Sequence, residues 1–280
     1  MNHEEMHWRA EDTLPLFARR WGPGEENNGQ VKGVICLVHG LGEHSGRYHH
    51  WAEKLAGAGY ATLAIDLRGH GRSGGRRGDT PSFDHYGDDI NLLLDKAAEI
   101  YPGKACFLYG HSLGGLLVAF YLIQRQPKLK GAVICSPGLH TVLDEQKDMI
   151  AMARFFGLVL PFLSFPNNLE QEGLSRDPAV INAYREDPFV HNRVSARLGK
   201  GMLDTRDYIF NRAREITLPL LIMHGTGDRI TYPSGSQKLA ELVSGECTLK
   251  YWEGSYHELH NEVEKDEVFA FLHKWLDNRA

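Results

Sequence analysis

Short, uninterrupted apolar runs recur along the chain, and they constrain its fold more than any other feature. Strands exposed on one face alternate apolar and polar residues, whereas strands buried on both faces are apolar throughout. Segments with helical apolar spacing lie between the runs, as at 86–102 and 113–127. This alternation predicts an α/β fold, a mostly parallel central sheet with helices on both faces. The predicted strands are 33–38, 61–65, 105–109, 131–135, 218–223 and 247–252.

The chain departs from this rhythm at two places. Residues 7–21 predict a hairpin added at one edge of the sheet, followed by a turn-rich segment at 22–30. About 80 residues separate the fourth predicted strand from the fifth, far more than a crossover helix needs. We therefore predict an inserted helical cap subdomain at 137–205, which divides the core into 1–136 and 206–280.

Inside the predicted cap, residues 149–166 are apolar almost all round, with Arg154 as the only charged residue. The length would suit a membrane span, but Gly157 and Pro161 interrupt the segment and no second span accompanies it. We predict that the segment belongs to a cap whose apolar face covers a pocket. An ordinary buried helix is the alternative. An acyl-chain pocket and contact with a lipid surface are the functional interpretations.

Composition excludes several classes of partner. The net charge is -5, whereas proteins that bind nucleic acid or an anionic membrane have a basic surface. The first residues are acidic and polar, without the basic and apolar regions of a secretory signal, so a cytoplasmic location is expected. The four cysteines match no zinc spacing and lie in apolar runs, which favours buried thiols over metal or disulfide roles.

Two segments match the Gly-x-Ser-x-Gly pattern of a serine nucleophile, one centred on Ser112 and one on Ser73. Such a nucleophile stands on a strained turn that leaves a buried strand and enters a helix directly. The strand 105–109 leads into Ser112 and a predicted helix follows it, whereas a loop follows Ser73, so we predict Ser112. A Gly-x-Gly-x-x-Gly match at 69–74 also lacks a following helix and does not predict a dinucleotide site.

A serine nucleophile needs a base, and the base needs an acid that orients it. In the fold that carries this turn, the acid and then the histidine follow the serine, each after the carboxyl end of a strand. Asp228 follows the strand 218–223 and His257 follows the strand 247–252. The spacing of His257 and His260 does not match a zincin helix, so no metal pair is predicted. Rejected candidates lie in predicted helices or precede the serine: Asp66, Asp204, Asp207, His260 and His273.

Attack by the serine creates an oxyanion, which needs preorganised hydrogen-bond donors. One donor is the backbone amide of the residue after the nucleophile, Leu113. A second is expected from the loop 39–46, where Gly40 and Leu41 form a tight turn after the first predicted strand. We interpret His39 as a structural residue that supports this turn.

With these residues in place, the sequence resembles the monoacylglycerol lipases and their lysophospholipase-like relatives among the α/β-hydrolases. The resemblance rests on VHGLGEHSGRY, DLRGHGRSGG, YGHSLGG and the pair HGTGDRIT and YWEGSYHELHNE, in that order along the chain. The cap segment SRDPAVINAYREDP is similar as well. These matches span nearly the whole chain, so the resemblance implies an α/β-hydrolase fold with an inserted helical cap.

The resemblance also implies a function. The resemblance implies a serine hydrolase that would cleave carboxylic esters of single-chain lipids, in particular monoacylglycerol to glycerol and fatty acid through an acyl-enzyme, without a metal or organic cofactor. A mobile hydrophobic cap would admit the acyl chain and contact lipid surfaces. The residues implied are the triad Ser112, Asp228 and His257 and the oxyanion amides of Leu41 and Leu113. Positions matching the family's contacts with the glycerol end are Glu43, Arg47, Tyr184 and His260, with structural pairings as the alternative.

Several other activities share these residues. A lysophospholipase, a general carboxylesterase, a proline-releasing peptidase and an acyltransferase would all use the same triad. A binding protein could keep the fold without catalysis, although such proteins usually lack a triad member. The preferred ester and the products formed separate these alternatives.

Overall fold

A computed structural model describes residues 1–24 and 30–280, so residues 25–29 of the predicted turn lie outside the described residues. Most described strands coincide with the predicted apolar runs. They are β1 Asn2–Arg9, β2 Pro15–Gly22, β3 Gly33–Val38, β4 Tyr60–Ile65, β5 Ala105–His111, β6 Gly131–Cys135, β7 Ser164–Pro166, β8 Arg193–Ser195, β9 Leu220–Gly225 and β10 Cys247–Trp252.

Within the described residues, eight of these strands form one sheet in the order β1-β2-β4-β3-β5-β6-β9-β10. The pairs β1 with β2 and β2 with β4 are antiparallel, and all other neighbours in this sheet are parallel. The six predicted strands and the predicted N-terminal hairpin are therefore confirmed. β9 begins two residues later than predicted because Pro219 has no N–H for the ladder; its carbonyl accepts the Ala132 amide at 3.0 Å.

Helices cover both faces of the sheet. The described helices are α1 His49–Gly57, α2 Phe83–Ile100, α3 Leu113–Arg125, α4 Lys147–Val159, α5 Pro178–Glu186, α6 Ala196–Arg212, α7 Pro233–Leu242 and α8 Lys265–Asp277. In β3, Val34 and Cys36 pack in the core formed with α2, α3, α6 and α7, whereas Ile35 and Leu37 pack in the core formed with α1 and α8. Because successive side chains of a strand point to opposite faces, an uninterrupted apolar run supplies both cores.

The long insertion between β6 and β9 contains α4, β7, α5, β8 and α6, with β7 and β8 paired antiparallel. α4 packs on α6 through Gly157, where an added Cβ would lie 2.5 Å from the Lys200 Cβ. This close approach explains a glycine inside the apolar segment, which the sequence suggested only as an interruption. The predicted cap boundary at 205 lies inside α6.

The apolar segment 149–166 does not form an ordinary buried helix, so that alternative is wrong. Most of its large side chains are exposed, with Leu158 at 71% and Phe155 at 59%. The other exposed members are Met149, Met152, Val159, Leu160, Phe162, Leu163 and Phe165. In the part of the chain that the structure describes, no helix is long and apolar enough to cross a membrane.

Candidate active site

Ser112 stands on the sharp turn between β5 and α3, as predicted. Its backbone has φ 54° and ψ -116°, a conformation that non-glycine residues rarely adopt. Three backbone hydrogen bonds hold it: the Ser112 amide donates to the Cys135 carbonyl at 3.0 Å, and the Ser112 carbonyl accepts the amides of Leu116 and Gly138 at 3.1 and 3.0 Å. The surrounding strands and helix therefore maintain the strained turn.

The two glycines of the pattern are required by steric contact. A Cβ on Gly110 would lie 2.3 Å from the Gly114 carbonyl oxygen, and a Cβ on Gly114 would lie 2.1 Å from the Val38 carbonyl oxygen. Neither backbone group can move away without disturbing β3 or the start of α3. The turn thus brings the end of β5 directly against the end of β3.

Ser73 occupies a structural position. It is buried, its hydroxyl accepts the Phe17 amide at 2.9 Å, and it donates to the Asp66 carbonyl at 2.5 Å. A loop, rather than a helix, follows it up to Phe83. The second Gly-x-Ser-x-Gly match therefore serves to attach β2 to the loop after β4.

Asp228 and His257 lie on the loops after β9 and β10 and meet in a hydrogen bond. The His257 Nδ1 donates to the Asp228 Oδ2 at 2.8 Å, and both side chains are buried. The Asp228 Oδ1 accepts the amides of Ile230 and Thr231 at 2.8 and 3.0 Å, and the Thr231 hydroxyl donates to Oδ2 at 2.9 Å. These donors fix the carboxylate in the orientation that faces the imidazole.

The pair is arranged to stabilise an imidazolium. Burial alone would raise the pKa of Asp228, but the charge of His257 and the hydrogen bonds from His224 and His257 hold it far below its usual range. Burial would lower the pKa of His257, but the charge of Asp228 and the hydrogen bond to it raise the pKa above the ordinary value. Because Nδ1 donates to Asp228, Nε2 is the nitrogen left to accept a proton.

The loop after β3 passes directly beside Ser112. A Cβ on Gly40 would lie 3.1 Å from the Ser112 Cβ. The Gly40 carbonyl accepts His39 Nδ1 at 2.8 Å, and His39 Nε2 accepts the Leu67 amide at 2.8 Å, in keeping with a structural role for His39. Within residues 1–24 and 30–280, the amides of Leu41 and Leu113 donate to no acceptor. Two such amides at a helix start and an adjacent turn match the requirement of an oxyanion hole.

The four residues matched to glycerol contacts lie in one buried network beside the site. Glu43 accepts the Gly40 amide at 2.6 Å, the Tyr48 hydroxyl at 2.8 Å and the Arg47 guanidinium at 2.8 Å. The Tyr184 ring of α5 stacks on Arg47 at 4.7 Å, and the buried His260 ring stacks on Tyr48 at 4.4 Å. These contacts favour the structural pairings that were the alternative, and a contact with substrate stays a prediction.

Sequence reasoning missed several residues that the fold brings to the site. Glu258, next to His257, accepts hydrogen bonds from both Arg47 Nη atoms at 2.6 and 2.8 Å, which ties the segment after β10 to the segment between β3 and α1. The His111 ring lies 4.7 Å from the His257 ring, between centroids. His224 donates to Asp228 from the end of β9. A polar residue at the end of an apolar strand run was the available signal, but the partners lie far away in sequence.

The insertion between β6 and β9 also contacts the loop after β3 through Gly42. The Gly42 carbonyl accepts the His191 amide at 2.8 Å, and Gly42 has φ +80° with its Cβ position 2.4 Å from the His191 carbonyl oxygen. We expect Gly42→Ala to shift the neighbouring Leu41 amide and lower kcat about 10- to 100-fold, because small misplacements of catalytic groups are costly. Steady-state kinetics together with the thermal unfolding midpoint would measure this.

Gly103→Ala is the matched control for Gly42→Ala. Gly103 has a similar φ of +75°, but an added Cβ there meets nothing within 4 Å. Gly103→Ala should therefore lower the thermal unfolding midpoint, because of the backbone strain, without lowering kcat. Equal kcat in the two variants would contradict the role given to the His191 contact.

Known proteins share this sequence and fold. Residues 29–264 match the protein family described as serine aminopeptidase, S33. A monoacylglycerol lipase of Mycolicibacterium smegmatis is 34% identical over 247 residues, which cover 88% of each chain. The crystal structure of a Paleococcus ferrophilus monoacylglycerol lipase superimposes with a TM-score of 0.85 at 37% identity, covering 95% of this chain and 99% of the other.

A third relative is much longer. An uncharacterized abhydrolase domain-containing protein of Dictyostelium discoideum is 35% identical over 273 residues, and the match spans 96% of this chain but 28% of that protein. The family match covers most of the chain and includes Ser112, Asp228 and His257. The chain belongs to the serine aminopeptidase, S33, family of α/β-hydrolases.

Proposed function

We propose that this chain hydrolyses monoacylglycerols through a serine acyl-enzyme. The observation that carries the proposal is the hydrogen-bonded pair of Asp228 and His257 at the sheet edge where Ser112 occupies its strained turn. The relatives that are themselves named monoacylglycerol lipases support this substrate class. The family description names an aminopeptidase, so a peptide substrate belongs in the test.

The proposed chemistry uses these side chains in sequence. His257 Nε2 takes the proton of the Ser112 hydroxyl while Oγ bonds to the ester carbonyl carbon, and the amides of Leu41 and Leu113 stabilise the oxyanion. The bond to the alcohol oxygen then breaks, and the alcohol leaves with the proton from His257. Water, deprotonated by the same nitrogen, bonds to the acyl carbon. The bond from that carbon to Ser112 Oγ then breaks, His257 returns the proton to Oγ, and the fatty acid leaves. Asp228 stabilises the imidazolium in each half-reaction.

We also propose that residues 137–205 form a cap subdomain whose exposed apolar segment contacts the lipid surface that holds the substrate. Phe155→Asn with Leu158→Asn should lower turnover of vesicle-bound monoacylglycerol at least about tenfold, because each side chain loses roughly 1.5–3 kcal/mol of burial in lipid. Turnover of a soluble short-chain ester should stay unchanged. Both rates, with a vesicle co-sedimentation measurement, check this expectation.

Val263→Asn is the matched control, because Val263 is equally exposed, at 65%, and lies outside the cap. Val263→Asn should leave the turnover of both the vesicle-bound and the soluble substrate at the wild-type value. If the cap variant loses activity on both substrates alike, the apolar segment acts on folding or catalysis and the lipid contact is refuted.

A substrate panel tests the proposed function. We would compare kcat/KM for 1-monooleoylglycerol, a lysophosphatidylcholine, p-nitrophenyl esters of increasing chain length and proline p-nitroanilide, with product analysis by mass spectrometry. The monoacylglycerol should give the highest value, with glycerol and free fatty acid as products. Faster cleavage of the lysophospholipid, an acetyl ester or the anilide would contradict monoacylglycerol as the substrate class and would identify the faster substrate's class instead. Transfer of the acyl group to added alcohol would identify an acyltransferase.

A further inference from the structure

The carboxylate of Asp228 contacts a second imidazole in addition to that of His257. His224 is the second-to-last residue of the strand β9. It is fully buried and brings Nε2 to 3.1 Å from the Asp228 Oδ2. That oxygen is the one that accepts His257 Nδ1 at 2.8 Å. Two histidines therefore share one carboxylate oxygen.

The hydrogen-bond partners of His224 determine where its proton lies. Nε2 faces two acceptors, the Asp228 Oδ2 and the Thr231 carbonyl at 3.0 Å, so Nε2 carries the proton. Nδ1 lies 2.7 Å from the hydroxyl of Ser236 in α7, which can donate to it. The result is a continuous chain from Ser236 through His224 and Asp228 to His257.

We propose that His224 is a positioning residue for the triad. Its N–H orients the Asp228 carboxylate and takes up part of the negative charge on Oδ2, and this sets the basicity of His257. Each donor on a carboxylate oxygen weakens the attraction that the carboxylate exerts on other partners. Loss of the His224 donor would leave more charge facing His257 and a less firmly held carboxylate. This inference rests on the proposed function.

Other titratable groups also face this chain of side chains. Burial and the charge of His257 lower the pKa of His111 to about 4, so His111 is neutral where the enzyme would work. A substitution at His224 leaves these residues unchanged in identity, so wild type and variant have them in common. The groups are His111 on β5, Cys135 on β6, Glu258 and His260 in the segment after β10, and Glu43 and Arg47 in the segment between β3 and α1.

The experiment compares His224→Leu, which removes the donor, with His224→Gln, whose side-chain amide can donate at a similar reach. We would measure kcat and KM on a soluble p-nitrophenyl ester and the pH dependence of kcat/KM. His224→Leu should lower kcat about 10- to 100-fold with little change in KM. In this variant the acidic limb of the pH profile of kcat/KM should move to higher pH by about one unit, because a more basic His257 stays protonated to higher pH. His224→Gln should stay within about threefold of wild type.

Two results would overturn the inference: an acidic limb in His224→Leu that matches wild type, or an equal loss of kcat in His224→Gln. If His224→Leu does not fold, Ser236→Ala provides the measurement, because it removes the donor to Nδ1. It should raise the acidic limb in the same direction by a smaller amount, and an unchanged limb would overturn the inference as well.

A Ser112→Ala arm separates this inference from the proposed function. Turnover that survives in Ser112→Ala would refute the proposed function and the role of His224 with it. Turnover that depends on Ser112, combined with an unchanged acidic limb in the His224 variants, would refute the role of His224 alone.

Discussion

Replacing Ser112 by alanine should lower ester turnover by roughly 10⁴- to 10⁶-fold, since the acyl-enzyme can no longer form. The small residual rate would come from the oxyanion amides acting on a water-mediated reaction. The fold should be unaffected, because the bonds that hold the turn are made by the Ser112 backbone and not by its hydroxyl. Steady-state turnover of a monoacylglycerol and labelling by a fluorophosphonate probe measure the loss.

Ser73→Ala is the control for this result. Its hydroxyl joins the Phe17 amide to the Asp66 carbonyl in the interior, so its loss should lower the free energy of unfolding by about 1–3 kcal/mol. Turnover per folded molecule should stay within about threefold of wild type. Comparable losses of turnover in Ser73→Ala and Ser112→Ala would contradict the assignment of the nucleophile.

The fold of the core could be predicted from sequence because its signals are local. Buried parallel strands need apolar side chains on both faces, so each strand is visible as a continuous run. The turn at Ser112 could be predicted for the same reason, since strand, glycines and helix are adjacent in sequence. Asp228 and His257 followed from the rule that parallel strands bring their carboxyl ends to one edge of the sheet.

The surroundings of the site depend on contacts that sequence does not display. Glu258 and Arg47 are 211 residues apart, and nothing in either segment indicates a bidentate ion pair between them. His224 belongs to the strand β9, but its partner on α7 is set by how that helix packs on the sheet. Tertiary packing determines polar partners of this kind. Residues that are far apart in sequence make these contacts, so no sequence pattern indicates them.

The environment of the apolar segment 149–166 could not be predicted from sequence, for a related reason. An apolar segment can be buried, or it can be exposed to a surface that the protein binds, and composition alone does not distinguish these cases. The packing of α4 on α6 through Gly157 turns one side of the helix inward and leaves Phe155 and Leu158 exposed. Only the structure identifies which side is free.

Replacing Asp228 by asparagine should lower kcat by roughly 10⁴-fold while the side chain keeps its shape. Asparagine can present its amide N–H to His257 Nδ1, which would favour the tautomer with the proton on Nε2. That nitrogen could then no longer accept the Ser112 proton. The imidazolium would also lose the carboxylate that raises the pKa of His257, so the base would be weaker in every step. Steady-state kcat at neutral pH is the measurement.

Asp204→Asn is the matched control, because it makes the same chemical change at another candidate for the acid of the triad. The structure places Asp204 on a helix outside the candidate active site. Asp204 lies on α6, exposed and paired with Lys200. A surface pair of this kind contributes about 0–1 kcal/mol to stability, so kcat should not change. A loss in Asp204→Asn as large as in Asp228→Asn would mean that the acid of the triad had been wrongly identified. A loss confined to Asp228→Asn, with fluorophosphonate labelling of Ser112 slowed in parallel, would tie this carboxylate to activation of the serine.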